Sequence, residues 1–380
     1  DIPLGGEKTC GFGWVQANVD KITWLTSSPD DSVTQTLFAG HRLVQDGIWH
    51  RLELEDEAAA NGLPTIAPLQ SRQKVQKPIR ASAGFISHRA FGGYCGMLVA
   101  EAETLTPTHI RESGEPSFTA ELDGQLINGW DFFSMAPPQA DMRPDSRLYA
   151  LPSRSIKGLL RHIYAIASDS FEPSSSLSSL NPADSLFGWV GPGQNQAIMG
   201  RLSVGFGFFD APTLAWFKVA YPYTGWAYNG KWHYTEGQET VKHLIAQTWR
   251  LFPHTPLAPT VKQLETFKPD TVQANYFRAI MPGGKARFTI RFWNLEEEEL
   301  RRLIWCLVLE PELAHKIGHH RYLGLGSLRM RLLPESYLID WEKRYTGEPW
   351  RQPIRAEEWA TPAVVAHYAE LKKALDAKSI

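Results

Sequence analysis

A chain of 380 residues, 43% of them hydrophobic and 21% charged, is long enough for one large or two ordinary cores and is neither disordered nor fibrous. A formal charge of −2 argues against nucleic-acid binding through bulk charge, and no uninterrupted apolar stretch reaches membrane-spanning length. Cys10, Cys95 and Cys306 are scattered with no CxxC spacing, which excludes a disulfide framework or zinc site and fits a reducing, cytoplasmic setting.

Residues 1–26 form a glycine-rich strand element, with Gly5, Gly6, Gly11 and Gly13 around Lys8 leading into an apolar run at 12–15. Residues 27–85 are polar and Pro-containing, without a strong period, and read as a connecting region. From 58 to 100 there is no carboxylate but there are Arg72, Lys74, Lys77, Arg80 and Arg89, so a near-neutral total conceals local basic surface. Apolar and polar residues alternate over 96–103, predicting a strand. The long stretch 107–144 then separates that strand from the first helix, and loops of this length are usually functional.

Residues 148–164, LYALPSRSIKGLLRHIY, come next as a strand, a turn and an amphipathic helix. Ile156, Leu159, Leu160, Ile163 and Tyr164 keep helical spacing and commit one face to a core, leaving Lys157 and Arg161 towards the other. Ser153 or Ser155 is placed to cap the helix, and the N–H groups of its first turn form a ready anion site; the plainer account is a capped helix with solvated charges. Residues 200–210 read as a strand. The aromatic-rich run 216–234 suits either a core or base stacking, and 239–252 reads as an inserted helix. The alternation at 287–293 predicts a strand, with Arg287 and Arg291 on one face. Asn294 is placed to cap a helix with Glu297 in a capping box. The segment 315–332, HKIGHHRYLGLGSLRMRL, carries Lys316, Arg321, Arg329 and Arg331 among glycines and no carboxylate, a plausible phosphate cradle ending in a final strand. His315 and His319 lack a nearby acidic ligand, so no metal site is assigned.

The order strand, helix, strand, strand, helix, strand is that of an α+β, ferredoxin-like (RRM-like) unit with insertions. It occupies 86–335, with the aromatic-rich insertion near 211–275 and a helix-bearing tail at 336–380.

LPSRSIKGLLRHIYAIAS resembles the signature of the RAMP proteins, the repeat-associated subunits of CRISPR effectors, and DSLFGWVG and GRLSVGFGFFD resemble the next segment of that family. HKIGHHRYLGLGSLRMRL resembles the family's terminal glycine-rich loop. Three motifs in the family's order make a specific match, with one departure: Pro152-Ser153-Arg154-Ser155 stands where the family has Pro-Gly-Ser-Ser. The resemblance implies a backbone-type subunit or module of a type III CRISPR effector in antiviral defence, a ribonucleoprotein whose partners are guide RNA, target RNA and sibling subunits or fused modules. It also implies that residues 1–26 are the tail of a preceding module. The expected RNA-binding residues are Lys8, Ser153, Arg154, Ser155, Lys157, Arg161, Lys316, Arg321, Gly324 and Gly326, the two glycines by close approach to RNA or to the signature helix. The alternative is an endoribonuclease that cuts target RNA or processes the guide precursor. Family members that cut use an aspartate between the first strand and first helix, here Asp123 first, then Asp131, Asp141 or Asp145; no cofactor is called for, apart from a divalent ion such as Mg2+ if the chain cleaves. A processing enzyme would instead draw on His109, His162 or His320.

Overall fold

The computed structural model describes residues 2–3, 14–15, 41–46, 49–54, 77–81, 84–88, 91–112, 115–135, 147–191, 193, 196–220, 226–228, 231–233, 241–242, 249–346 and 348–380. The chain divides into two units, residues 1–8 with 12–75, and residues 9–11 with 76–380. In the first, Ile2–Pro3 pairs antiparallel with Trp14–Val15, and His41–Asp46 pairs with Trp49–Leu54. The stretch read as a connecting region, 27–85, contains the second of these hairpins.

The second unit is built on β1 (Tyr94–Thr104), α1 (Ser153–Ala167), β2 (Leu202–Val204), β3 (Gly207–Phe209), β4 (Lys285–Leu295), α2 (Glu297–Val308) and β5 (Ser327–Leu332). Its sheet runs β5-β1-β4-β3, every neighbour antiparallel, with β2 also paired to β4. Taking β2 and β3 as one interrupted strand, this is the ferredoxin-like order, and the fold is α+β. Short strands extend the sheet at both edges, His315–Lys316 beyond β5, and Leu148–Leu151 then Ser134–Met135 beyond β3.

Alternation dictates which face each strand buries. Ala286, Phe288, Ile290 and Phe292 of β4 are buried, as are Leu98, Ala100 and Ala102 of β1, and both sets join one core with the two helices. Ile156, Leu160, Ile163 and Tyr164 of α1 and Leu300, Leu303, Ile304 and Leu307 of α2 cover that face. Each such aliphatic side chain contributes about 1.5–3 kcal/mol through removal from water. On the opposite face the register aligns Phe208, Arg287, Glu101 and Arg331 in one row and Lys285, Glu103 and Arg329 in the next. Arg287 reaches Glu335 at 2.7 Å and Arg331 reaches Glu101 at 2.6 Å. Arg287 and Arg331 are thus ion-paired within the chain, which makes Arg287 poorly placed to hold phosphate.

Two insertions share a second sheet. Phe118–Leu122 and Gln125–Trp130, from the long segment after β1, join Leu214–Ala220, Val261–Leu264 and Ala274–Ile280, from between β3 and β4. The described part of the expected long loop therefore contains a hairpin. The expected inserted helix at 239–252 is a strand at Val241–Lys242 and irregular at 249–252, and the rest of it lies outside the described residues.

Asn294 does not cap α2. Its backbone is left-handed, at φ 60°, where β4 shifts register between Phe292 and Leu295. The amide oxygen accepts from the backbone N–H of Gly92 and Gly93 at 3.1 and 2.9 Å, and its nitrogen donates to the Ser87 carbonyl at 2.8 Å. Asparagine tolerates this conformation, so the residue that looks like a cap in the sequence stabilises a bulge, and Glu296 with Glu299 forms the capping box two residues later. No helix among the described residues is long and apolar enough to cross a membrane.

Candidate nucleic-acid interface

Helix α1 begins without a side-chain cap. Pro152 occupies the N-cap position, and its carbonyl accepts from the N–H groups of Ser155 and Ile156 at 2.9 and 3.1 Å. Pro152 fixes the extended entry to the helix. Ser153 is buried in the first turn, Arg154 is exposed and Ser155 half-buried. Arg154 thus puts a guanidinium on the outer face of the first turn.

The sequence motif at 315–332 packs beside that turn. Arg154 and Ser155 line a cavity of about 600 Å³ together with Lys316, Arg321, Arg250 and Phe252. Ile110, Gly158, Leu159, His162, Ile163, Leu251, Ile317, Gly318, His319 and Leu375 complete the wall, and it holds no aspartate or glutamate. Walls of this composition raise the local concentration of anions. The guanidinium of Arg321 lies 4.5 Å from the centre of the Phe252 ring, a stacked arrangement that orients it. Arg250 and Phe252 are not among the residues expected from the sequence. Their segment reads there as the end of a helix, and nothing in its pattern indicates that it is irregular.

Lys316 donates a 2.9 Å hydrogen bond from Nζ to the Leu325 carbonyl. Burial, with a further push from Arg321, brings its pKa down to about 8. An anion held by this ammonium is released as the group loses its proton, so affinity falls as pH rises through about 8. His162 and His319 do not alter this sign, because burial holds both below the ordinary histidine value and they are already neutral there. Retention of a single-stranded oligonucleotide is expected to weaken between about pH 7 and about pH 9, and Lys316→Arg, which stays charged, to remove most of that dependence. A profile identical in the two proteins would detach Lys316 from the anion.

Lys157, Arg161, Gly324 and Gly326 do not line this cavity. Lys157 lines neither this cavity nor its smaller neighbour; burial and then Arg161 lower its pKa. Arg161 lines the neighbour, of about 310 Å³, but its guanidinium is ion-paired with Asp184 and donates to the Gly188 carbonyl at 3.0 Å. It therefore ties α1 to the helix Pro182–Phe187. Gly324 and Gly326 approach neither cavity nor α1: an added Cβ would meet the Pro256 carbonyl oxygen at 2.4 Å and the Ile317 carbonyl oxygen at 2.0 Å. Their close approach is to the chain's own backbone. Lys8 lies outside the described residues.

Of the acids, Asp123 sits exposed at the tip of the hairpin between Phe118–Leu122 and Gln125–Trp130. It and Gly124 both have positive φ, at 50° and 72°, the signature of a tight hairpin turn, and it lines neither cavity. Asp131 is fully buried. Its Oδ2 accepts from Arg147 and Arg278 at 3.2 Å and from Tyr149 at 3.3 Å, and its Oδ1 accepts from the Phe132 N–H at 2.8 Å. Burial raises its pKa, against the pull of Arg278. Glu112 accepts from Ser117, Ser134 and Arg147. These carboxylates are engaged by cations of the protein, so they do not fit a divalent ion, and among the described residues no group of three His, Cys, Asp or Glu could hold a metal. Asp141 and Asp145 lie outside the described residues.

His109, His315 and His320 are packed within the fold. His109 shares a 2.7 Å hydrogen bond between Nδ1 and the Arg278 carbonyl, and burial drives its pKa down to about 3. His320 stacks on Phe277 at 4.9 Å, with a pKa pushed down to about 4. His315 is buried, with a pKa driven down to about 3. Among the described histidines, His162 and His319 line the basic cavity.

No protein-family model matches this chain, and no curated protein matches it. Among solved structures it is similar to Csc2 from Thermofilum pendens, with 10% identity over 74% of this chain and 86% of that one, at a TM-score of 0.35.

Proposed function

We propose that this chain is an RNA-binding module of the RAMP type, holding guide RNA within a CRISPR effector of the type III class and helping to position target RNA, with sibling subunits or fused modules as its protein partners. One observation carries the reading. The two motifs that resemble the family, about 150 residues apart in sequence, meet at a carboxylate-free cavity lined by Arg154, Arg250, Lys316 and Arg321, while Arg287 and Arg331 on the sheet face are ion-paired with Glu335 and Glu101. A polyanion is drawn to a cavity of that composition.

The test is a salt series with single-stranded RNA. Neutralising Arg154, Lys316 and Arg321 together is expected to weaken binding and to reduce the slope of log affinity against log salt by about 2, near the value for that many phosphate contacts on a single strand. Replacing Arg287 and Arg331 should leave the slope alone. Equal slopes in all three proteins would sink the assignment, and extraction of uniform short RNAs from native material would support the guide-RNA reading.

A second reading, cleavage of RNA, is favoured by the presence of His162 and His319 in the same cavity as Lys316. A ribose hydroxyl attacking the adjacent phosphate needs a base, an acid and a cation, and these are the residue types gathered there. Loss of cutting on His319→Ala with RNA retention intact would establish it.

A further inference from the structure

Gly158 stands in the middle of α1 at the point where the two cavities beside that helix meet; it and His162 line both. Glycine inside a helix is unfavourable relative to alanine, because it loses more freedom on ordering and leaves the backbone bare. A glycine kept there normally admits a neighbouring backbone. At Gly158 no such neighbour exists: a Cβ built on it meets nothing within 4 Å among the described residues, and its φ lies outside the positive range. Packing and backbone conformation therefore give no reason for the missing side chain.

The surroundings supply one. On one side of Gly158 is the cavity with Arg154, Lys316 and Arg321; on the other is the cavity walled by Phe171 and Trp249, edge to face with ring centres 5.4 Å apart. His162, one helical turn on, sits edge to face with Trp249 at 5.7 Å. Cationic and aromatic surfaces placed end to end match the alternation of phosphate and base along a single strand. Together their volumes, about 600 and 310 Å³, hold a short segment of chain, and a strand passing from one to the other must cross the helix at Gly158.

We infer that Gly158 is the saddle over which single-stranded RNA crosses α1, its sugar-phosphate backbone lying directly on the helix backbone, with phosphates in the cationic cavity and a base against the Trp249 side. This rests on the RNA-binding reading above and adds to it the path of the strand and a residue that determines it. Gly158 acts through the absence of a side chain, so it is a positioning residue.

The two effects of adding a methyl group here have opposite signs. Gly158→Ala improves helix propensity and is expected to raise the midpoint of thermal unfolding by about 2 °C. The same methyl group occupies the crossing, and binding of a single-stranded RNA 10-mer, by anisotropy at fixed salt, is expected to weaken by about fivefold; Gly158→Leu should weaken it by about fiftyfold, as befits a side chain filling the junction. A protein that becomes more stable while binding less well cannot be explained by misfolding. If wild-type protein retains no RNA, the underlying functional reading fails; if wild-type protein binds and the Leu variant, shown folded by its melting curve, binds equally well, the saddle is wrong and the strand runs elsewhere. Retained binding of the 10-mer with loss confined to duplex RNA would also overturn it, because a duplex is too wide for this crossing.

Discussion

Arg201→Ala is expected to lower the stability of the ferredoxin-like unit by about 3–5 kcal/mol, the penalty for stranding a buried charge. The Arg201 side chain is 1% exposed and its carboxylate partner Glu299 11%. Two parallel bonds join them, at 2.5 and 2.8 Å. The same guanidinium donates to the carbonyls of Asn294 and Ser185 and to the Ser185 hydroxyl. It thereby joins three pieces: the bulge at the end of β4, the first turn of α2 and the helix Pro182–Phe187. Removing it leaves Glu299 buried with only the Glu296 N–H, at 2.9 Å. Because the loss arises from the stranded partner, Arg201→Met combined with Glu299→Leu should recover much of the stability that Arg201→Ala removes. Urea melts of the three proteins decide it, and a single-variant loss below about 1 kcal/mol would show that the pair is dispensable.

Much of this architecture is legible in the sequence because it derives from period. The alternation at 287–293 and the helical stripes of α1 and α2 each have one solution that buries their apolar side, and the strand-helix order then fixes the sheet. The ion pairs of the sheet face are not legible, since the pairing of Arg331 with Glu101 needs the register between β1 and β5. Asn294 misleads for a local reason. Asparagine favours both caps and left-handed bulges, and only the Gly92-Gly93 backbone arriving from far away in sequence chooses between them. The site divides in the same manner. Arg154, Lys316 and Arg321 can be picked from their motifs, whereas Lys157 and Arg161 share the helix yet meet other surroundings, a matter of about a hundred degrees per residue around α1. Arg250 and Phe252 come from an irregular segment and carry no period to read.

The glycines of the terminal loop separate most sharply from their sequence reading. A loop resembling a ligand cradle suggests that side chains at Gly324 and Gly326 would block RNA first. The structure instead makes them conditions of folding. Gly326 has φ +79°, and a Cβ there would lie 2.0 Å from the Ile317 carbonyl oxygen. That oxygen belongs to main chain, and the Ile317 N–H is itself bonded to the Gly326 carbonyl at 2.8 Å, while the Gly326 N–H is bonded to the Pro107 carbonyl at 2.9 Å. Neither side can give way without breaking a buried hydrogen bond. Gly326→Val therefore combines a disfavoured backbone with a backbone clash, and is expected to cost about 3 kcal/mol or more. The midpoint of unfolding should fall steeply in RNA-free protein, the reverse of the rise expected for Gly158→Ala. Two glycines in the motifs of one site would then be distinguished by sign: one kept for what the chain packs against itself, the other for what crosses it from outside. An unchanged midpoint for Gly326→Val, with only RNA binding lost, would return the loop to its role as a cradle and require Ile317 to have moved.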